Sequence, residues 1–482
     1  MPARSQSDIS QRSNIRGNNA ERVVGAESRC IGILNLLDAT KVECNRHPRL
    51  TQPLGRFMED SMADFAAWLR RVFGRKEEPG PGPSLPRVRP RPSGPESFAE
   101  DNNDFACSMY GQLQQRPENL FFSPFSIRTA LGMTQAGARG ETAAQMRVAL
   151  SISSSDETLH VVSAEIIQRL NAAGGGKYEM AVANSLWGQD GAPLLPEYLD
   201  LIAAHYGGSM NLVDFRDAAE AARVRINEWV EDKTKQKIRE LIPAGDLNAE
   251  TLLVLVNAVF FKGMWVRPFR RAATRDEPFH LERGGTVQTP LMHQQREIRY
   301  LQAAGYQAVD LIYQGGDLSM LVLLPNKKDG LRDLEKKLSA RMLHDCVARL
   351  ALTEVELFLP RFKFTWGTVN LRDQLTTLGM TLPFNRSEAD FSGINGHQAP
   401  SEDSLVISAV FHKAFVEVNE EGTEAAAATA VGMISGAMAP WPSQPPPIPI
   451  FRADHPFLFA VRDRKSGAIL FLGRIADPTR ES

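Results

Sequence analysis

At 482 residues the chain has room for one large domain or two ordinary ones, with a core well above the minimum for stability. A composition of 43% hydrophobic and 23% charged residues is that of a soluble globular protein. The net charge of −2 and pI near 6.5 argue against a generally basic nucleic-acid binder, and Cys30, Cys44, Cys107 and Cys346 have neither zinc-knuckle nor redox-pair spacing.

The first residues lack the apolar core of a secretory signal, and no run approaches a membrane span, so no membrane partner is expected. Met58 and Met62 are candidate internal starts, followed by a short amphipathic helix and no signal. Residues 1–78 are expected to form a disordered extension, because they are mostly polar and show no sustained periodicity. Residues 79–95 read as a Pro/Arg-rich linker. Pro79, Pro81, Pro83, Pro86, Pro90, Pro92 and Pro95 forbid helix and ladder alike, and the interleaved Arg87, Arg89 and Arg91 read as solvated.

Residues 96–482 read as a single domain. Apolar spacing predicts helices over 97–116, 124–138, 141–150, 156–173, 196–206, 218–237, 331–350 and 369–378. Strands are expected over 178–189, 251–261, 355–364 and 405–418. Three more fall between 286 and 324 with breaks at Gly305 and Gly315-Gly316, and a hairpin over 456–475 turns at Lys465-Ser466-Gly467. The run 251–261 is apolar and rich in β-branched residues, as in a strand buried on both faces. The fold class is α+β, with more than one sheet.

Catalytic signatures are missing. There is no Gly-x-Ser-x-Gly elbow and no His-Glu-x-x-His, and the glycine run 174–176 lacks the leading Gly and the Ser/Thr of a phosphate loop. His412 lies in an apolar strand without a carboxylate at ligand or triad spacing, which fits a buried, hydrogen-bonded histidine. No enzyme activity, cofactor or metal is expected.

Residues 420–439 are the oddest stretch. Alanines after Thr423-Glu424 suit a helix by propensity, yet no apolar stripe would bury one face. Small side chains and threonines also suit a segment that slides between strands. No proline occurs between Gly422 and Ala439, whereas Pro440, Pro442 and Pro445 to Pro447 follow; because proline cannot donate to a central ladder, insertion would end before Pro440.

Several motifs then agree in order. Phe121-Phe-Ser-Pro-Phe-Ser-Ile127, Asn257-Ala-Val-Phe-Phe-Lys-Gly-Met-Trp265, Leu359-Pro-Arg-Phe-Lys363, Phe411-His-Lys-Ala-Phe-Val-Glu-Val-Asn-Glu-Glu-Gly-Thr423, Phe451-Arg-Ala-Asp-His-Pro-Phe457 and Phe471-Leu-Gly-Arg-Ile475 together make residues 96–482 resemble a serpin. The resemblance implies about nine helices around three β-sheets with an exposed reactive-centre loop. It implies a monomeric, metastable serine protease inhibitor that acts as a suicide substrate: the loop is cut, the protease is held as an acyl-enzyme, and the loop inserts into the main sheet. Ser123, Ser126, Asn257 and His412 match the family's shutter and Trp265 its breach. The hinge would comprise Glu420, Glu421, Gly422, Thr423, Glu424, Ala425, Ala426, Ala427, Ala428 and Thr429. Family spacing puts the reactive bond at Gly436-Ala437, with Met433 or Met438 as alternatives if the spacing has slipped.

No Lys, Arg, Asp or Glu occurs between Ala425 and Ile450, so an elastase-like or subtilisin-like serine protease is the expected target. The alternative is a non-inhibitory serpin-fold binding protein whose loop is only a substrate; the extra prolines at 440–447 and Gly432 and Gly436 favour it. The helix expected over 156–173 lacks the basic face of cofactor-activated relatives. The family is largely extracellular, although no signal is readable here and a cytoplasmic place is the alternative; Asn385-Arg-Ser387 is an acceptor sequon for glycosylation.

Overall fold

The computed structural model describes residues 94–173, 178–207, 210–422 and 447–481. The expected extension and all but the last two residues of the linker lie outside the described residues. Ten α-helices and fourteen strands are found among those described. Pro95 opens α1 (Pro95–Leu113) at the first helical turn, where its missing N–H costs nothing. The strand β1 (Leu120–Phe122) leads into α2 (Pro124–Gly137), whose N-cap is Ser123: the hydroxyl accepts from the Ser126 amide at 3.1 Å. Next come α3 (Gly140–Ala149), α4 (Asp156–Ala173), β2 (Tyr178–Gln189), α5 (Pro196–Tyr206), β3 (Met210–Val213), α6 (Phe215–Lys233) and β4 (Leu253–Gly263).

Four shorter or longer strands, β5 (Arg275–His280), β6 (Thr286–Ala303), β7 (Tyr306–Ile312) and β8 (Leu318–Pro325), precede α7 (Leu331–Glu335) and α8 (Ala340–Arg349). The helix expected over 331–350 is therefore two, because Ser339 caps a new one by accepting from the Met342 amide at 3.2 Å. The strand expected over 355–364 is also two, β9 (Ala351–Pro360) and β10 (Phe362–Asn370), so Val369 belongs to a strand and α9 is only Arg372–Thr377. The chain ends through α10 (Ser392–Asn395), β11 (Ile407–Val418), β12 (Ile450–Arg452) and the hairpin β13 (Phe457–Asp463) and β14 (Ile469–Ile475).

Hydrogen bonding gives two sheets among the described residues, where the resemblance implies three. The nine-stranded sheet is continuous because β6 pairs with β5 and β9 along most of its length and with β7 through residues 299–303. The five-stranded sheet has the order β10-β11-β4-β2-β3. Its middle strand β4 alternates strictly: Leu253, Leu255, Val259 and Phe261 join the main core, while Val254, Val256, Ala258 and Phe260 join a second cluster with Phe215, Ile226 and Val230 of α6. Both faces are covered, as the uninterrupted apolar run of β4 implies.

Candidate functional site

The alternation that buries β4 also aims Asn257 at the main-core face, between Leu255 and Val259. Register then sets its neighbours. Asn184 of β2 lies directly opposite Asn257 in the antiparallel ladder, and His412 of β11 lies opposite it in the parallel one. Three polar residues thus form a row across three adjacent strands, facing the start of α2. Asn257 Nδ2 donates to Ser126 Oγ and to Asn184 Oδ1; Ser126 Oγ donates to Asn184 Oδ1 at 2.9 Å. Ser123 Oγ donates to the Leu470 carbonyl at 2.7 Å, and the Ser123 amide donates to His412 Nε2 at 3.3 Å. Because Nε2 accepts, the proton of the neutral ring sits on Nδ1, which donates to Asn257 Oδ1. Burial lowers His412 to about 3, against the opposing hydrogen bond with Asn257, so the ring is neutral at physiological pH.

Beyond His412 the β10–β11 ladder is interrupted by a bulge between Gly367 and Val369. Gly367 has φ +110°, and a Cβ there would lie 2.5 Å from the His412 carbonyl oxygen. Glycine is required both for that backbone angle and for that approach.

The second part of the site is where the chain leaves β11. Asn419 and Gly422 close a tight turn through paired amide-to-carbonyl bonds of 3.2 Å. Gly422 has φ +103°, and a Cβ on it would meet the Gly263 oxygen at 2.3 Å, the Trp265 nitrogen at 2.5 Å and the Met264 Cα at 2.6 Å. The turn is pinned to the end of β4: the Trp265 amide donates to the Glu421 carbonyl at 3.0 Å, the Phe269 amide to the Glu420 carbonyl at 2.8 Å, and the Trp265 indole to the Asn419 carbonyl at 3.0 Å. Trp265 is buried and stacked on Tyr313 with centroids 4.5 Å apart. Glu420 is also buried. Burial pushes its carboxyl up, but hydrogen bonds from Arg361 and Thr274 outweigh this and hold it below the usual carboxylate range. Glu421 pairs with Arg271 at 2.8 Å.

The structure therefore brings Ser123, Ser126, Asn257 and His412 into one network, and Glu420, Glu421, Gly422 and Trp265 into a second one at the shared end of β4 and β11. Thr423 to Thr429, Met433, Gly436, Ala437 and Met438 lie outside the described residues. Sequence reasoning missed Asn184, whose signal was an Asn on the same strand face as Val182 and Leu186, and it missed Arg361, Thr274 and Arg271 as anchors of the turn. Among the described residues no group of His, Cys, Asp and Glu is placed to hold a metal, and no helix is long and apolar enough to cross a membrane.

Two helix-backed sheets, one with its middle pair of strands parallel and a chain exit pinned beside them, define the class of fold. A solved structure of this class, Arabidopsis AtSerpin1 in its native stressed conformation, superposes with a TM-score of 0.71 at 29% identity, covering 81% of this chain and all of that one. The family described as serpin (serine protease inhibitor) matches residues 100–478, and the chain belongs to it. Human Serpin B3 is 39% identical over 402 residues, spanning 79% of this chain and all of that protein. Human leukocyte elastase inhibitor is 38% identical over 396 residues, again with full coverage of the relative and 80% of this chain.

Proposed function

We propose that this protein inhibits a serine endopeptidase of elastase-like or subtilisin-like specificity by cleavage of its reactive loop, acyl-enzyme trapping and insertion of the loop between β4 and β11. The observation that carries this reading is the parallel ladder of β4 and β11, from Leu253↔Ile407 to Phe261↔Val416, with the chain turning back at the end where both strands finish. A segment that leaves β11 through a tight turn runs antiparallel to it. Inserted, it replaces one parallel ladder with two antiparallel ones, which pair slightly better per residue. The 17 residues from 423 to 439 reach about 55 Å at ~3.3 Å each, more than β11 itself spans.

The polar row supports a gate in the same place. Parting β4 from β11 takes Asn257 and His412 from neighbouring strands to about 9.6 Å apart, two strand spacings, so their hydrogen bond must break. The native form is then held by a barrier. Leukocyte elastase inhibitor, by its name, inhibits an elastase, and the uncharged stretch 425–450 suits enzymes that need no charged anchor. The proposed bond is Gly436-Ala437, with Met433 and Met438 as alternatives.

The test is incubation with elastase-like and subtilisin-like enzymes, denaturing electrophoresis, and mass spectrometry of the released C-terminal peptide. A complex that survives denaturation is expected, with a cut between Met433 and Met438. Cleavage without any such complex would favour a non-inhibitory binding protein instead.

A further inference from the structure

The chain carries no Asp or Glu from Thr251 to Arg275, yet the end of that stretch holds Arg267, Arg270, Arg271 and Arg275, all exposed. This is out of keeping with a protein of net charge −2. A fifth guanidinium crowds them: Arg296 of β6 donates to the Arg267 carbonyl at 3.2 Å, and its Nε lacks a hydrogen-bond partner. Burial, and then the like charge of Arg267, lower Arg296 to about 10. Arg271 pairs with Glu421.

Position gives the cluster its meaning. At one end of the 423–446 segment, Glu421 is tied to Arg271; at the other, Arg452 of β12 is tied to Glu277 of β5, two residues beyond Arg275. The arginines lie along the connection between those anchors, so a partner that grips the segment comes down beside them. The segment itself has no charged residue after Glu424. Long-range attraction must then come from the body of the protein, and clustered charge raises association rates by roughly 10- to 1000-fold.

We propose that Arg267, Arg270 and their neighbours form a docking surface for an acidic rim on the target protease, steering it onto the uncharged loop. This rests on the inhibitory reading above. The test uses the full chain with elastase-like and subtilisin-like serine proteases of net negative, near-neutral and net positive charge. Each is also prepared with its nucleophilic serine replaced by alanine, so that binding is read without acylation. Arg267→Glu/Arg270→Glu, and the milder Arg267→Ala/Arg270→Ala as a check on folding, leave the Arg271–Glu421 pair in place.

With the acidic enzymes, binding and inhibition by the Glu pair should be slower by about tenfold or more at roughly 50 mM salt. The Ala pair should fall between, the difference should fade towards about 1 M salt, where the Debye length is ~3 Å, and the stoichiometry and thermal midpoint should not move. Rates that ignore both pairs and the salt overturn the proposal. So does failure of every enzyme to bind, or tight binding of heparin through these arginines at physiological salt while protease rates stay unchanged. Salt-dependent binding of the inert enzymes, with no covalent complex from their active counterparts, would keep the docking surface and sink the inhibitory reading; covalent complexes indifferent to the arginines would do the reverse.

Discussion

Gly422→Ala isolates the turn from the rest of the hinge. At φ +103° an alanine is strained by about 1–2 kcal/mol, and its Cβ would press on three backbone atoms 2.3 to 2.6 Å away. Those atoms are backbone at and just beyond the end of β4 and cannot swing aside like a side chain, so the turn must let go. The bonds from the Trp265 amide, the Phe269 amide and the Trp265 indole then weaken, at a net of about 1 kcal/mol each. A loss of about 3 kcal/mol results if only part of each term is felt. The bonds from Trp265 and Phe269 join the turn to the end of β4 and would have to break before a strand could enter between β4 and β11, so weakening them lowers that barrier. Spontaneous loss of inhibitory capacity at fixed temperature should accelerate by on the order of a hundredfold, read as the residual fraction able to form complex against time. A variant with the thermal midpoint and inactivation rate of the parent would refute the reasoning.

The pH dependence of stability has a defined sign. His412 titrates near 3 in the folded chain against 6.5 in the unfolded one, so its contribution is whole above pH 6.5 and is lost progressively as pH falls towards 3. By pH 5 the native form should lose about 2 kcal/mol from this residue. His160, lowered to about 4 chiefly by burial, acts in the same direction, so denaturant midpoints are compared between the parent and His412→Asn; equal pH slopes would show that His412 is not the source. Thr423→Arg should turn inhibitor into substrate, because its charge would have to be buried on insertion; an unchanged yield of covalent complex would count against insertion.

Much of the domain was legible because long elements carry their own pattern. The expected bounds of α4, β2 and α5 agree with the structure to the residue. Strands of three or four residues, β1, β3 and β12, carry no period of their own and exist because neighbours pair with them: β1 lies against β14 and β12 against β9. Apolar spacing ran unbroken across Ser339, so the split of one helix into two had only a capping serine to announce it. Asn370 shows the opposite case. Its side chain accepts from the Arg372 amide at 3.2 Å just before α9, but Val369, where the helix was expected to begin, is claimed by the ladder to His412. For the candidate site, the apolar surroundings of His412 and the family resemblance named His412 and Asn257 but not Asn184, whereas the register that unites the three is a long-range property of two ladders.

That register also bears on the part of the loop outside the described residues. The Asn419↔Gly422 bridge sets an antiparallel pairing in which the residue numbers sum to 841; continued into an inserted strand, it places Thr429 opposite His412. On the same face would lie Thr423, Ala425, Ala427 and Val431. The other face, towards α6, would carry Glu424 at the edge and then only Ala426, Ala428, Ala430 and Gly432, small enough to pass beneath a helix that packs on this sheet. Thr429 would thus arrive in the polar row just as Asn257 and His412 lose one another, offering a hydroxyl that both donates and accepts. Thr429→Val keeps the shape and removes the hydroxyl. It should lower the denaturant stability of the loop-cleaved, inserted form by about 1–3 kcal/mol, the penalty of an unsatisfied buried polar group, and leave the uncleaved form unchanged. Thr429→Ser should restore most of the loss. If the cleaved Thr429→Val form unfolds at the same midpoint as the cleaved parent, the inserted strand does not follow the register of the turn.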